Sequence, residues 1–390
     1  MSHSPLRITI AQGAFLPVPP LLGGAVEKVW YALGQEFARR GHQVVHVGRA
    51  HEKLPARERI GGVEYRRVRG YGTPRAMWRL KLMDLLYSRR VRTVLPPADI
   101  LVTNTFWLPL IERRPSRGRT YVHVGRYPKG QLRWYPRDAV LQTVSEPIRQ
   151  AILREVPENP SRVRVIPYPL APVYLAERGS PRNVILYTGR IHPEKGLHLL
   201  IAAFGAIVQA GTREWTLRLV GPWRTEQGGG GAEYRERLMR AANSTGGLVE
   251  FVEPLFDEQK LVAEYRAAAI FAYPSLAEFG ETFGLAVLEA MASGCVPVVS
   301  ALGCFADFVE DGRNGLIFDH RASDPVARLV EVLQKLLDSI QVRDRLREAA
   351  WQTARAYALP EIADQFLEDF QSLVNPVTSP QATLQACLPR

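Results

Sequence analysis

The chain has 390 residues, more than one hydrophobic core usually organises, so its length predicts two domains. Its composition of 46% hydrophobic and 23% charged residues, without an apolar run of membrane-span length, indicates a globular protein. The net charge of +11 is concentrated in residues 1–175, which carry 29 basic and 12 acidic side chains, so this half is expected to attract anionic partners.

The first half alternates predicted strands and helices. The predicted strands are 6–11, 42–48, 63–68, 100–103, 120–124 and 140–143, and the predicted helices are 25–40, 75–92 and 146–154. This alternation is typical of a parallel sheet with helices on both faces. Residues 167–181 are rich in proline and lack periodicity, which indicates a linker.

The second half repeats the scheme. The predicted strands are 184–188, 217–220, 249–252, 270–273 and 296–300, and the predicted helices are 196–209, 233–242, 324–338, 343–357 and 359–373. We therefore expect an α/β protein with two Rossmann-like, doubly wound domains, residues 1–168 and 169–357, facing a central cleft. The tail 375–390 is expected to be disordered.

The most informative segment lies between the apolar run 267–273 and a strongly helical stretch. It contains Glu281 and Glu289 with seven residues between them, and a Thr-Phe-Gly turn follows the first glutamate. Helix-start amides of Phe283, Gly284 and Leu285 have no partners within a helix and are suited to binding an anion. Carboxylates on both sides of a phosphate site suit a ligand that has phosphate and sugar hydroxyls, such as a nucleotide sugar.

This segment resembles the motif of retaining GT-B glycosyltransferases, above all glycosyltransferase family 4. The Gly189–Gly196 segment, Gly-Arg-Ile-His-Pro-Glu-Lys-Gly, resembles the Gly-Arg…Lys-Gly segment of that family. Gly23 and Gly24 resemble its N-terminal Gly-Gly loop. The three pieces occur in the family's order, and the resemblance covers roughly residues 6–372.

The resemblance implies a role for each matching residue. Arg190 and Lys195 would stabilise the leaving diphosphate, and Glu289 would accept hydrogen bonds from the ribose. Glu281 and His123 would lie beside the transferred sugar. The remaining donor-binding residues would be Gly23, Gly24, Thr282, Phe283, Gly284 and Leu285. The resemblance also implies that a C-terminal helix, 358–374, returns to the first domain.

Some of these residues have a plain structural alternative. Arg190 and Lys195 could be ordinary surface charges at a turn, and the glycines could form a simple turn. His123 could be a core histidine with satisfied hydrogen bonds, and it departs from the family pattern because Val124 follows it. Glu253 stands where many relatives have glycine near the base-binding loop, which leaves the recognition of the base open. Elsewhere, Arg126 and Lys129 are candidates for acceptor contact.

The basic stretch 75–92 has two interpretations of equal weight. Its tryptophan, leucine and methionine residues among six basic ones suit a helix that lies on an anionic membrane, but they also suit a domain helix with a solvent-exposed basic face. No zinc-finger, recognition-helix or RNA-binding motif favours a nucleic-acid partner. Three cysteines without metal-ligand spacing, and no signal peptide, favour a reduced, cytoplasmic chain, peripheral on the inner membrane face if the helix binds lipid.

The sequence therefore predicts a retaining glycosyltransferase that moves a hexose, glucose or a related sugar, from a UDP-linked donor to a hydroxyl acceptor in polysaccharide or glycoconjugate synthesis. The acceptor could be a glycan, a lipid-linked glycan or a small molecule. No cofactor or metal is expected. The alternatives are a nucleotide-sugar epimerase or phosphorylase of the same fold and a non-catalytic nucleotide-sugar-binding module. A dehydrogenase is disfavoured because no Gly-x-Gly-x-x-Gly follows the first strand.

Overall fold

The computed structural model describes residues 4–22, 24–72, 74 and 76–375. The predictions for Gly23, for Arg75 and for the tail beyond Asn375 lie outside the described residues. The described chain forms two largely parallel sheets, each covered by helices, as the alternating pattern predicts.

The first sheet has eight strands in the order β3-β4-β2-β1-β5-β6-β7-β8. Its strands are β1 (Arg7–Ala11), β2 (Gln43–Arg49), β3 (Arg57–Ile60), β4 (Val63–Val68), β5 (Ile100–Thr103), β6 (Arg119–His123), β7 (Val140–Thr143) and β8 (Val163–Val165). Helices α1 (Ala25–Arg39), α2 (Met77–Val94), α3 (Leu108–Ile111) and α4 (Glu146–Glu155) connect them. The strand order reverses at β1, which pairs with β2 on one side and β5 on the other.

The second sheet has six parallel strands in the order β11-β10-β9-β12-β13-β14. Its elements, in chain order, are α5 (Pro172–Leu175), β9 (Arg182–Thr188), α6 (Leu197–Gln209), β10 (Thr216–Val220), α7 (Gly231–Asn243), β11 (Leu248–Val252), α8 (Glu258–Ala267), β12 (Ala268–Tyr273), α9 (Leu285–Ser293), β13 (Val296–Ser300), β14 (Leu316–Phe318), α10 (Pro325–Leu337), α11 (Ile340–Arg355) and α12 (Leu359–Val374). Here the order reverses at β9, which pairs with β10 and β12.

Three strands escape prediction from the sequence. β3 is an edge strand whose sequence, Arg-Glu-Arg-Ile, lacks an apolar face, and it pairs antiparallel with β4. β8 and β14 have only three residues each and end the two sheets at the opposite edges. Short or charged edge strands carry little hydrophobic pattern, whereas central strands such as β12, buried along its whole length, are clear.

The last helix, α12, follows the elements of the second domain in the chain but packs against the first domain. Phe366 lies with its ring centroid 5.1 Å from that of Trp30 and 6.4 Å from that of Phe37, both on α1. On the same side, Asp369 accepts hydrogen bonds of 2.7 Å from the Tyr121 hydroxyl and from Arg164 Nε. The chain therefore crosses between the domains twice, once before β9 and once before α12.

Within the described ranges, none of the helices combines the length and the apolar character that crossing a membrane requires.

We predict that Phe366→Ala lowers the free energy of unfolding by about 3–5 kcal/mol, because it removes a buried aromatic ring from the contact between α12 and α1. Urea unfolding followed by tryptophan fluorescence measures this change, since Trp30 is in contact with the ring. The exposed neighbour Glu368 provides a control: Glu368→Ala should change the free energy of unfolding by less than about 0.5 kcal/mol. Equal effects of the two substitutions would contradict the packing role of α12.

Candidate active site

The candidate site lies at the point where the strand order of the second sheet reverses. β9 and β12 are neighbours there, and loops leave their carboxyl ends in opposite directions. Such a switch point leaves a crevice at the carboxyl ends of the strands, which is the usual ligand position in open α/β sheets. The loop after β9 carries Arg190 and Lys195, and the loop after β12 carries Glu281.

Lys195 and Glu281 form an ion pair in this crevice. Lys195 Nζ lies 2.6 Å from Glu281 Oε2, and the two side chains are only 6% and 11% exposed. The Ser275 hydroxyl donates a second hydrogen bond of 3.2 Å to the same carboxylate oxygen. Nearly buried charges are tolerated only when paired, so each residue needs the other. Sequence reasoning placed both residues in the cleft but not in contact with each other.

Gly196 allows the lysine to approach so closely. It has φ +67°, and a Cβ at this position would lie 2.0 Å from the carbonyl oxygen of Pro274. The backbone after β9 therefore passes directly against the backbone after β12. A side chain at residue 196 would separate the two loops and with them the ion pair.

Arg190 is held differently from Lys195. Its Nη1 donates to the carbonyl oxygen of Gly228 at 3.0 Å, and its Nη2 lies 2.6 Å from Glu194 Oε1. Its side chain is 44% exposed, so the guanidinium remains accessible from the cleft. Both cations predicted to contact a diphosphate are thus paired with protein carboxylates, and an anion would compete with those carboxylates for them.

The start of α9 offers free amides beside the ion pair. Gly284 precedes the helix with φ +85°, and a Cβ there would lie 2.4 Å from Phe305 Cε1. In the part of the chain that the structure describes, no hydrogen bond engages the amides of Phe283, Gly284 or Leu285. Unpaired amides at a helix N-terminus attract an anion, and an anion site at these residues stays a prediction.

Glu289 lies one turn further along α9 on the same side. Its Oε2 accepts a 3.1 Å hydrogen bond from the Tyr265 hydroxyl, which is itself 2.6 Å from Thr188 Oγ1. Burial raises the pKa of Glu289 to about 7, although Lys28 of α1 opposes the shift with its positive charge. Glu289 is thus a partly ionised carboxyl group that faces the first domain across the cleft.

Gly24 and Glu27 define the opposite wall of the cleft. Gly24 has φ +98°, and a Cβ there would lie 2.2 Å from Glu27 Oε2, so the glutamate folds back over the start of α1. Burial raises the pKa of Glu27, while Arg126 and the backbone amide of Glu27 partly offset that rise. The glycine predicted to contact the donor therefore adjoins a buried carboxylate that sequence reasoning missed.

His123 is bonded through both ring nitrogens. Its Nδ1 lies 2.6 Å from Gln142 Oε1, and its Nε2 lies 3.1 Å from the Tyr168 hydroxyl. Burial lowers the pKa of His123 to about 4, so the imidazole is neutral, and its ring meets Trp30 edge-on. These contacts are those of the core-histidine alternative. A role for His123 beside the sugar stays a prediction.

The chain is similar to known proteins in sequence and in fold. Residues 176–353 match the family model described as glycosyl transferases group 1. This segment contains Arg190, Lys195, Glu281 and Glu289, so the resemblance predicted from these residues is confirmed.

One similar protein is the D-inositol 3-phosphate glycosyltransferase of a Nocardioides species. It is 34% identical over 206 residues, which cover 50% of this chain and 43% of that protein. The chain spans about half the length of the curated relatives it matches.

Two solved structures cover nearly the whole chain. Sucrose-phosphate synthase from Thermosynechococcus elongatus has a TM-score of 0.74 at 22% identity and covers 94% of this chain and 99% of its own. Anabaena HepE, solved in complex with UDP and glucose, has a TM-score of 0.70 at 18% identity and covers 94% and 100%. These likenesses confirm the predicted GT-B fold.

The loop after β11 carries Glu253, which forms an unexpected side-chain cluster with the loop after β10. The Glu253 carboxylate accepts a hydrogen bond of 3.0 Å from the Trp223 indole and one of 3.1 Å from Arg224. The Arg224 guanidinium lies 4.3 Å from the centroid of the Trp223 ring. Sequence reasoning noted Glu253 only as a departure from the family pattern. The cluster could have been anticipated, because the loops after β10 and β11 leave adjacent parallel strands at the same edge.

Several other residues near the site were missed by sequence reasoning. They are Glu27, Lys28, Tyr168, Glu194, Tyr265 and Ser275. Position after a strand was the available signal for Glu194 and Ser275. The tyrosines had no such signal, because their hydroxyls enter the site through packing.

Among the described residues no cluster of His, Cys, Asp and Glu could hold a metal ion, and a metal-free reaction stays a prediction.

We predict that the binding of a nucleotide beside α9 releases a proton from Glu289. Ribose hydroxyls donate more strongly to a carboxylate than to a neutral carboxyl, so binding should lower the raised pKa of about 7. Calorimetric titration with UDP at pH 7, in two buffers of different ionisation enthalpy, measures the release. Affinity should therefore increase as the pH rises through that value.

The variant Glu289→Gln cannot release this proton, whereas Glu281→Gln, the matched control in the loop before α9, should release it as the wild type does. The nucleotide's own ionisation contributes equally to all three proteins. Equal proton release by wild type and Glu289→Gln would show that Glu289 does not bind the ribose.

Proposed function

We propose that the chain is a retaining glycosyltransferase that transfers a hexose from a UDP-linked donor to a hydroxyl acceptor. The observation that carries this proposal is the convergence of two cations, a free helix N-terminus and two carboxylates on one crevice. A nucleoside diphosphate sugar has groups that complement each of them: phosphates, ribose hydroxyls and sugar hydroxyls.

The donor would lie along α9. Its diphosphate would contact the amides at the start of the helix together with Lys195 and Arg190, and its ribose would contact Glu289. Glu281, released from Lys195, would accept hydrogen bonds from the sugar. UDP is proposed as the nucleotide because one structurally similar protein, Anabaena HepE, was solved with UDP.

The reaction would take place on one face of the sugar. The bond between the anomeric carbon and the phosphate oxygen breaks, and the acceptor oxygen bonds to the same face. The proton of the acceptor passes to the leaving phosphate, so no carboxylate nucleophile is required. Lys195 and Arg190 would stabilise the charge that develops on the diphosphate because they are in place before the reaction.

The acceptor would approach from the first domain. The wall that the first domain contributes to the cleft combines the buried carboxylate of Glu27, the guanidinium of Arg126 and the hydroxyl of Tyr168. Such a mixture suits a hydroxylated acceptor, such as a glycan, a lipid-linked glycan or a small polyol, and polysaccharide or glycoconjugate synthesis is the corresponding process. The same-fold alternatives, an epimerase and a non-catalytic binding module, would bind a nucleotide sugar without transferring it.

A screen of nucleotide sugars tests the proposal. Thermal shifts identify the donor, and release of free nucleotide diphosphate in the presence of candidate acceptors identifies transfer. We predict that Lys195→Ala and Arg190→Ala each lower kcat/KM by the equivalent of about 2–4 kcal/mol, because each removes a charge that stabilises the leaving group.

Lys335→Ala is the control, since this lysine pairs with Glu331 on the remote helix α10. Rates of the Lys195 and Arg190 variants within a few-fold of the wild type would refute the assignment. Nucleotide-sugar binding without nucleotide release under any acceptor condition would favour the non-catalytic module.

We also propose that α2 contacts an anionic membrane surface. Trp78, Leu82 and Leu86 follow each other at one-turn spacing and are exposed, Trp78 by 64%. Its one acidic residue, Asp84, is buried and accepts hydrogen bonds from the amides of Phe106 and Trp107. The exposed surface of α2 is therefore apolar and cationic, as at a lipid interface. This observation favours the membrane interpretation over that of a domain helix whose basic face is exposed to solvent.

We predict that the chain sediments with phosphatidylglycerol vesicles at low salt and less at high salt, because screening weakens the attraction of exposed charges. The double variant Trp78→Ser/Leu82→Ser should lose this binding at both salt concentrations. Met239→Ser, which removes an exposed apolar side chain from α7, should not. Failure of the wild type to bind vesicles at low salt would refute the contact.

A further inference from the structure

The two domains exchange helix-capping contacts across the cleft at the start of α4. Ser145 occupies the N-cap position, yet its side chain makes no hydrogen bond to its own helix. Instead, its hydroxyl donates to the carbonyl oxygen of Thr282 in the other domain at 2.6 Å. The first amide of α4, that of Glu146, donates to Asp307 Oδ2 at 2.9 Å. A carboxylate of the second domain thus caps a helix of the first.

An N-cap serine ordinarily accepts a hydrogen bond from an amide two or three residues further on. Pro147 removes one of these donors, and the amide of Ile148 is the other. When the domains separate, Ser145 can cap its own helix through that amide, and Asp307 returns to water. The same two residues therefore have partners in both arrangements, so the contact between the domains is readily reversible.

Thr282, the residue that Ser145 holds, lies between Glu281 and Phe283 in the donor loop. Phe283 is contacted in turn by Tyr168 of the first domain, edge-on, at 5.6 Å between ring centroids. Beside them Pro147 packs on Gly303, where a Cβ would lie 3.1 Å from the proline Cγ. The contacts between the domains thus converge on the loop that presents Glu281 and the free amides of α9.

We propose that Ser145 and Asp307 are positioning residues that fix the Glu281–Leu285 loop when the cleft is closed. This inference rests on the proposed function for its catalytic consequence but not for the contact itself. Both residues act through the loop: Ser145 holds the Thr282 carbonyl directly, and Asp307 holds the helix start that carries Ser145. Neither residue belongs to the donor-binding set.

Amide hydrogen exchange of the full chain tests the contact without reference to any sugar. The Glu146 amide should be protected in the wild type, and more so with UDP. In Asp307→Ala it should exchange about tenfold faster or more, because an uncapped first amide of a helix has no partner. Asp324→Ala is the matched control, since Asp324 caps α10 within its own domain through Ala327 at 2.9 Å. Equal exchange in wild type and Asp307→Ala overturns the proposal.

Kinetics test the positioning role. Ser145→Ala and Asp307→Ala should lower kcat by about tenfold or more, since misplacing a loop at the reacting centre is costly, while the affinity for free UDP stays within about threefold. Asp307→Asn keeps an oxygen acceptor for the Glu146 amide and should recover part of the rate. Ser339→Ala, which removes the N-cap of α11, should leave kcat unchanged.

The two kinds of failure can be told apart. If the chain transfers no sugar at all, the proposed function fails, but the exchange of the Glu146 amide still decides whether the contact exists. If transfer occurs and both variants retain the wild-type kcat, the positioning role is refuted while the proposed function stands. Loss of UDP affinity in step with kcat also refutes it, because the residues would then support the fold of the donor site.

Discussion

The ion pair between Lys195 and Glu281 is the contact on which the cleft depends. Both groups are nearly buried, and a single one of them would be an uncompensated charge in a poorly solvated place. Pairing them requires two loops from neighbouring strands to meet at backbone distance, which the missing Cβ of Gly196 allows. The strand order, the glycine and the two charges are therefore one requirement: changing any of them leaves a buried charge without a partner.

Much of this arrangement could be predicted from the sequence because it follows from backbone rules. Residues after neighbouring parallel strands meet at one edge, so the approach of Arg190, Lys195 and Glu281 needed only the strands to be recognised. The free amides of α9 followed from the Gly284 turn. The partners were not predictable, since the pairing of Arg190 with Glu194 depends on side-chain geometry within one tight turn. Strand β3 was missed for a different reason: its mostly charged residues do not show the alternation of apolar and polar residues that identifies a strand.

The first domain shows where motif reasoning and structure diverge. His123 lies at the end of β6 as predicted, yet Gln142 and Tyr168 bond both of its nitrogens, so position after a strand did not determine its environment. The buried carboxylate of Glu27 lies nearer to the Gly24 turn and is a stronger polar feature of this wall. A motif fixes where a residue stands along the chain, whereas burial and neighbours decide what its side chain can do.

The pairing of each cation with a carboxylate has a consequence for binding. The charges of Lys195 and Arg190 are offset by those of Glu281 and Glu194, so these four side chains carry no net charge. An anion that reaches the lysine competes with Glu281 for it, and a group with several acceptor oxygens, supported by the α9 amides, competes best. The displaced carboxylate is then free to accept hydrogen bonds from hydroxyls on the same ligand. Under the proposed function, phosphate contact and hydroxyl contact would therefore be coupled through one ion pair, and anions that lack a neighbouring sugar would bind less well.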